Sequence, residues 1–128
     1  SAAAAAARDG LAAFPRNVAL QLALIDVALD SGDRAGAQKL LRQQLNDRSG
    51  DPALYRREAK LYADRDPLRY HEALGNAFYY EQRYSSALEQ YQLASKAKGD
   101  DFYLRSMLEA RLREVEKLAK DERKAARN

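Results

Sequence analysis

Short polar breaks recur along this chain so regularly that only stacked helices of similar length fit between them. Pro15, Ser31-Gly32-Asp33, Asp51-Pro52, Asp66-Pro67, Gln82-Arg83 and Gly99-Asp100-Asp101 punctuate pieces of about 12 to 17 residues with helical apolar spacing. Asp51-Pro52 and Asp66-Pro67 are one device used twice. An acid accepts from the free N–H groups of a first helical turn, and the proline sits where its missing N–H costs nothing. No strand pattern competes, and the expectation is an all-α chain.

The pieces predict seven helices. The first covers about 2–14 and stops near Pro15; its six alanines directly after Ser1 read as the inside of a helix, as in a piece of a longer chain. The second, about 18–30 with Asn17 as N-cap, carries Leu20, Leu22, Leu24, Ile25, Val27 and Leu29 almost all round. Such a helix needs cover on more than one side. The third, about 34–46, has the stripe Ala37, Leu40, Leu41 and Leu45. The fourth places Tyr55, Ala59 and Tyr62 on one face with Leu54 and Leu61 beside it, and the fifth carries His71, Leu74 and Phe78 around Gly75. The sixth, about 84–98, has Ala87, Leu88, Tyr91 and Ala94; the seventh has Leu104, Leu108, Leu112, Val115 and Ala119. The closing stretch 120–128, all charge and small residues, is expected to fray.

Length and composition narrow the class. The 128 residues, 46% of them hydrophobic, suit a single helical repeat domain over 1–128. A net charge of +3 with acids interleaved among the bases favours solubility over a contiguous nucleic-acid face, so nucleic acid is not an expected partner. The chain has no cysteine, hence no disulfide framework and no thiolate metal site. No apolar run reaches the ~20 residues that span a bilayer. SAAAAAARDG has no positive leader before an apolar core and does not read as a signal peptide.

Internal repetition sharpens the fold. Gly32-Asp33-x3-Ala37-x3-Leu41 and Gln82-Arg83-x3-Ala87-x3-Tyr91 share their spacing of small and large residues, and His71-x2-Leu74-Gly75-x2-Phe78 precedes the second copy. This resembles the tetratricopeptide repeat, W-x2-L-G-x2-Y followed by A-x3-F. The likeness is good over 68–101 and fair over 18–51. It departs where His71 replaces tryptophan and where the two alanines lie 50 residues apart, not a multiple of 34. It implies a right-handed superhelical array of about seven antiparallel helices, in which Gly75 and Ala87 are small because paired helices approach closely there. Helix five then serves as second member of one pair and first of the next.

The C-terminal half resembles something narrower. Leu54-Tyr55-Arg56, His71-Glu72-Ala73-Leu74, Phe78-Tyr79-Tyr80, Ala87-Leu88-Glu89-Gln90 and Asp101-Phe102-Tyr103 through Leu112 look like the repeat region of bacterial periplasmic zinc metalloproteases related to the β-barrel-assembly-enhancing protease. That resemblance implies a periplasmic location and a preceding protease domain that holds zinc through H-E-x-x-H. It also implies repeats that dock to outer-membrane barrel-assembly machinery and control access to the active site. The present chain has one histidine, and Glu72, Ala73, Leu74 and Gly75 follow it, so the motif fails at its second ligand. His71 reads as a packing residue, and neither catalysis nor a cofactor is expected of this chain.

What remains is surface. In tetratricopeptide arrays the first helix of each pair lines a groove for peptides, and this register points Arg56 and Lys60 on helix four and Asn76, Tyr79 and Tyr80 on helix five towards it. All eight tyrosines fall between residues 55 and 103, and tyrosine and arginine are enriched at binding hot spots. Most of them equally suit a core with hydroxyls at the rim. Lys60 and Asn76 partly echo a peptide-carboxylate clamp. The alanine-rich first helix offers a face for self-association. The expectation is a protein or peptide partner; the alternatives are a scaffold domain of an unrelated protein and, behind it, a basic helical nucleic-acid binder.

Overall fold

The computed structural model describes residues 1–99 and 101–128; Asp100, read above as part of the last break, lies outside them. The regular elements of the described chain are all helices: α1 (Ala2–Ala13), α2 (Val18–Asp30), α3 (Arg34–Asp47), α4 (Pro52–Tyr62), α5 (Pro67–Tyr80), α6 (Tyr84–Lys96) and α7 (Phe102–Arg127). No strand occurs among the described residues. The helices form two compact units, Ser1–Ser49 and Gly50–Asn128.

In the first unit α2 packs against both α1 and α3, the two-sided cover that its all-round apolar surface requires. Ala4 and Ala7 of α1, Ile25 and Ala28 of α2, and Ala37 and Leu41 of α3 are buried. Asn17 Oδ1 accepts from the Leu20 N–H at 3.1 Å and starts α2 as its sequence predicts. Arg48 donates through Nη1 to Gln21 and Gln44, which ties the end of α3 back to α2.

In the second unit α5 packs on α4 and α6, and α6 packs on α7. Asp51 and Asp66 cap α4 and α5 with the first-turn prolines in place. The core gathers Leu68, Ala87, Tyr91, Ala94, Leu108 and Val115, with Phe78, Leu88, Leu104 and Leu112 packed against it. On α4 the fully enclosed side chains are Leu54, Ala59 and Leu61. Tyr55 and Tyr62, which the sequence places on one face with Ala59, are half-buried. A phenol can keep its hydroxyl at the rim while its ring packs, and leucine has no such option.

The breaks after α2 and α5, which open the two copies of the sequence motif, form the same kind of turn. In the first, Gly32 adopts φ +78°, its N–H donates to Leu29 O, and the Asp33 N–H donates to Ala28 O. In the second, Gln82 adopts φ +60°, its N–H donates to Tyr79 O, and the Arg83 N–H donates to Phe78 O. Both are Schellman turns with a left-handed residue just past the helix. The helices after them start differently. Asp33 caps α3 with its own carboxylate, whereas Arg83 gives α6 no side-chain cap. Glu122 of α7 supplies the acid instead, accepting from the Tyr84 N–H at 2.8 Å and the Ser85 N–H at 3.3 Å. Beyond this contact α7 continues to Arg127.

Candidate binding cleft beside the fifth and seventh helices

The spacing of Glu72 and Asn76, one helical turn apart, puts both on the same side of α5. The spacing of Tyr103, Met107 and Arg111 does the same on α7. These two rows face one another across α6 and enclose an open cleft of about 180 Å³, lined also by Tyr91, Leu104 and Leu108. Tyr91 forms its floor. The ring is fully buried, and its hydroxyl donates to Asn76 Oδ1 at 2.6 Å; burial raises its pKa above the usual tyrosine value. Tyr103 and Met107 form the outer wall and keep 76% and 55% of their surface exposed, an unusual amount of apolar area for two neighbours on one helix face.

Beside the cleft the aromatic residues interlock. Tyr80 stacks on Tyr55 of α4 with centroids 5.3 Å apart, and Tyr79 meets Tyr80 edge to face. The Arg111 guanidinium lies 4.1 Å from the Tyr79 ring centroid and 3.7 Å from Glu114. Tyr79 donates its hydroxyl to Glu114 at 2.6 Å, and that bond, ahead of burial, raises its pKa. At the start of the two walls, Arg69 bridges Asp66 at 2.9 Å and Asp101 at 2.7 Å. Asp66 and Asp101 are the caps of α5 and α7, so one guanidinium sets the spacing of both N-termini.

The carboxyl of Glu72 stands apart from this network. Burial first and the charge of Glu58 second push its pKa up to about 7, although Arg69 and Arg111 act in the opposite direction. Burial also raises the pKa of Glu58.

Of the residues expected to bind, the structure brings Asn76 into the cleft. Tyr79 and Tyr80 form the aromatic layer next to it, and their perpendicular rings point to different partners. Arg56 lies elsewhere: it pairs with Glu81 at 2.6 Å and its guanidinium stands 5.1 Å from the Phe78 ring centroid. Lys60 is exposed on the last turn of α4 and is not among the lining residues. The Lys60 and Asn76 echo of a carboxylate clamp therefore does not assemble in this cleft. Glu72, Tyr103, Met107 and Arg111 were not expected. Their only sequence signal is an i, i+4 row on each helix, visible once α5 and α7 are known to flank α6.

His71 Nδ1 lies 2.9 Å from Gln90 Oε1 on α6, and its ring meets Tyr70 edge to face. The described residues contain no group of three His, Cys, Asp or Glu able to hold a metal ion. No helix among them is long and apolar enough to cross a membrane. No protein-family model matches the chain, and no curated protein or solved structure matches it either.

Proposed function

We propose that this chain is a non-catalytic protein-interaction module of tetratricopeptide type, whose hairpins stack in a right-handed superhelix and whose cleft beside α5 and α7 receives a peptide segment of a partner. One observation carries the reading. Two helices with a third beneath them leave an open cleft walled by exposed Tyr103 and Met107 and floored by a hydrogen-bonded pair, Tyr91 and Asn76. Exposed aromatic and thioether surface around a few fixed polar groups is what peptide grooves use for contact area and orientation. The matched Schellman turns after α2 and α5 support the repeat assignment.

The resemblance of the C-terminal half to periplasmic metalloprotease repeats supports a narrower proposal. Here the module acts in the periplasm, belongs to a zinc protease whose catalytic domain is separate from these helices, and docks to outer-membrane barrel-assembly machinery. A photoreactive amino acid at Met107, compared with one at exposed Glu89 of α6, tests both levels in a bacterial envelope extract. Adducts from position 107 alone are expected, and mass spectrometry should find barrel-assembly components in them. Equal labelling from the two positions, or none from 107, overturns the groove assignment. Specific adducts with unrelated proteins overturn the periplasmic docking and leave a scaffold module.

A further inference from the structure

Glu72 is a half-buried carboxyl at the wall of an open cleft, and among the described residues it has neither a hydrogen bond nor an ion pair. The cations near it are committed elsewhere. Arg69 is held by Asp66 and Asp101, and Arg111 lies over Tyr79 beside Glu114. Glu58 of α4 likewise has neither a hydrogen bond nor an ion pair among the described residues, and its charge acts on Glu72. The cluster is therefore short of a cation, and the open side of the cleft is where one can enter. A carboxylate taken out of water without a partner is costly, and a cation that arrives from solution removes that cost.

The walls restrict what the cation is attached to. Leu104, Met107 and the Tyr91 ring offer apolar surface beside the carboxyl, which suits a charge carried on a methylene stem. The volume of about 180 Å³ takes one side chain, not a helix. The available acceptors are Glu72 and the second lone pair of Asn76 Oδ1, whose first takes the Tyr91 hydroxyl. Two acceptors on successive turns suit the three rotatable donors of an ammonium better than a planar guanidinium fork.

We propose that the cleft seats a single lysine side chain of an extended partner peptide, with the ammonium on Glu72 and the stem along Leu104 and Met107. The upward shift of Glu72 agrees with this, since a proton fills the same deficit while the cleft is empty. The charged groups acting on it are Glu58 from α4, Arg69 from α5, Asp101 at the N-cap of α7 and Arg111 within α7.

This inference rests on the peptide-groove reading, and amide NMR titration separates the two. The probes are Ac-Ala-Ala-Lys-Ala-Ala-NH2 and its analogue with norleucine for lysine, each added to the wild-type chain and to Glu72→Gln. The lysine peptide should give saturable shifts at 72, 76, 103 and 107, the norleucine peptide should bind at least about tenfold more weakly, and Glu72→Gln should abolish that preference. Equal binding of both peptides in this cleft removes the lysine assignment and keeps the groove. Lysine-dependent shifts that survive in Glu72→Gln also overturn it, as they would place the ammonium elsewhere. Absence of shifts in the cleft with either peptide overturns the lysine pocket, and the crosslinking from Met107 then decides the groove independently.

Discussion

Gly75 of α5 faces the ring of Tyr91 of α6 so closely that a β-carbon on it would lie 2.5 Å from Cδ1 and Cε1. In an exposed helix, glycine to alanine stabilises by roughly 0.5 to 1 kcal/mol, because the unfolded chain loses freedom. Here the sign should reverse. Tyr91 is enclosed and its hydroxyl is fixed to Asn76, so the ring cannot yield without breaking the cleft floor. Gly75→Ala should cost about 1 to 3 kcal/mol by overpacking, read as a lower midpoint in urea; a neutral or stabilised variant would refute the close approach.

Gln82 holds a left-handed conformation that Gly32 occupies in the equivalent turn. A residue with a β-carbon is strained there by roughly 1 kcal/mol. Gln82→Gly should raise the thermal midpoint, with helicity unchanged by circular dichroism.

Glu122 caps α6 from 38 residues away. Replacing it with alanine should cost about 1 kcal/mol and speed amide exchange at Tyr84 and Ser85, with the end of α7 exchanging faster too. Burial works against the charge of Glu122, yet the bonds from Tyr84 and Ser85 outweigh it and hold its pKa below the ordinary value. Its contribution is therefore present near neutral pH and disappears as the pH falls through that lowered pKa.

Glu72 behaves in the opposite way. Its pKa rises from 4.5 to about 7 on folding, so the folded state keeps a proton that the unfolded chain has released. Its contribution is complete below pH 4.5 and is lost as the pH rises through about 7. Glu72→Gln should flatten the fall in stability between pH 5 and pH 8 by roughly 1 to 2 kcal/mol, a value reduced for the partial exposure of the group. A parallel pH profile in the variant would show that Glu58 or another group carries the dependence.

Local chemistry was legible in the sequence where the relevant partners are near in the chain. Asn17, Asp51 and Asp66 announce their helices because a cap bonds within three residues. Ala37 with Leu41 and Ala87 with Tyr91 are buried in both copies of the motif, as their common spacing implies. For the tyrosines of α4, period alone does not distinguish a ring packed at the rim from a leucine sealed in the core. The cleft was hidden for a different reason. The stripe of α7 names Leu108, Val115 and Ala119 correctly as buried, but Tyr103 and Met107 lie on the adjoining side, whose role depends on α5, some 30 residues earlier. The pairing of Arg56 was not legible, because nothing within its own helix shows Glu81 beyond the end of α5.

The bridge from Arg69 to Asp66 and Asp101 also makes recognition and order two readings of one equilibrium. The outer wall of the cleft exists only while α7 lies against α6, so an occupant binds the docked helix and not the undocked one. Occupancy must then stabilise the docked helix against local opening by RT ln(1 + [L]/Kd). Weakening the bridge should accordingly loosen ligand binding without any change to a residue that the ligand touches. A segment that waits unbound would show fast amide exchange along the first turns of α7, and capture of a partner would be recorded there as a gain in protection.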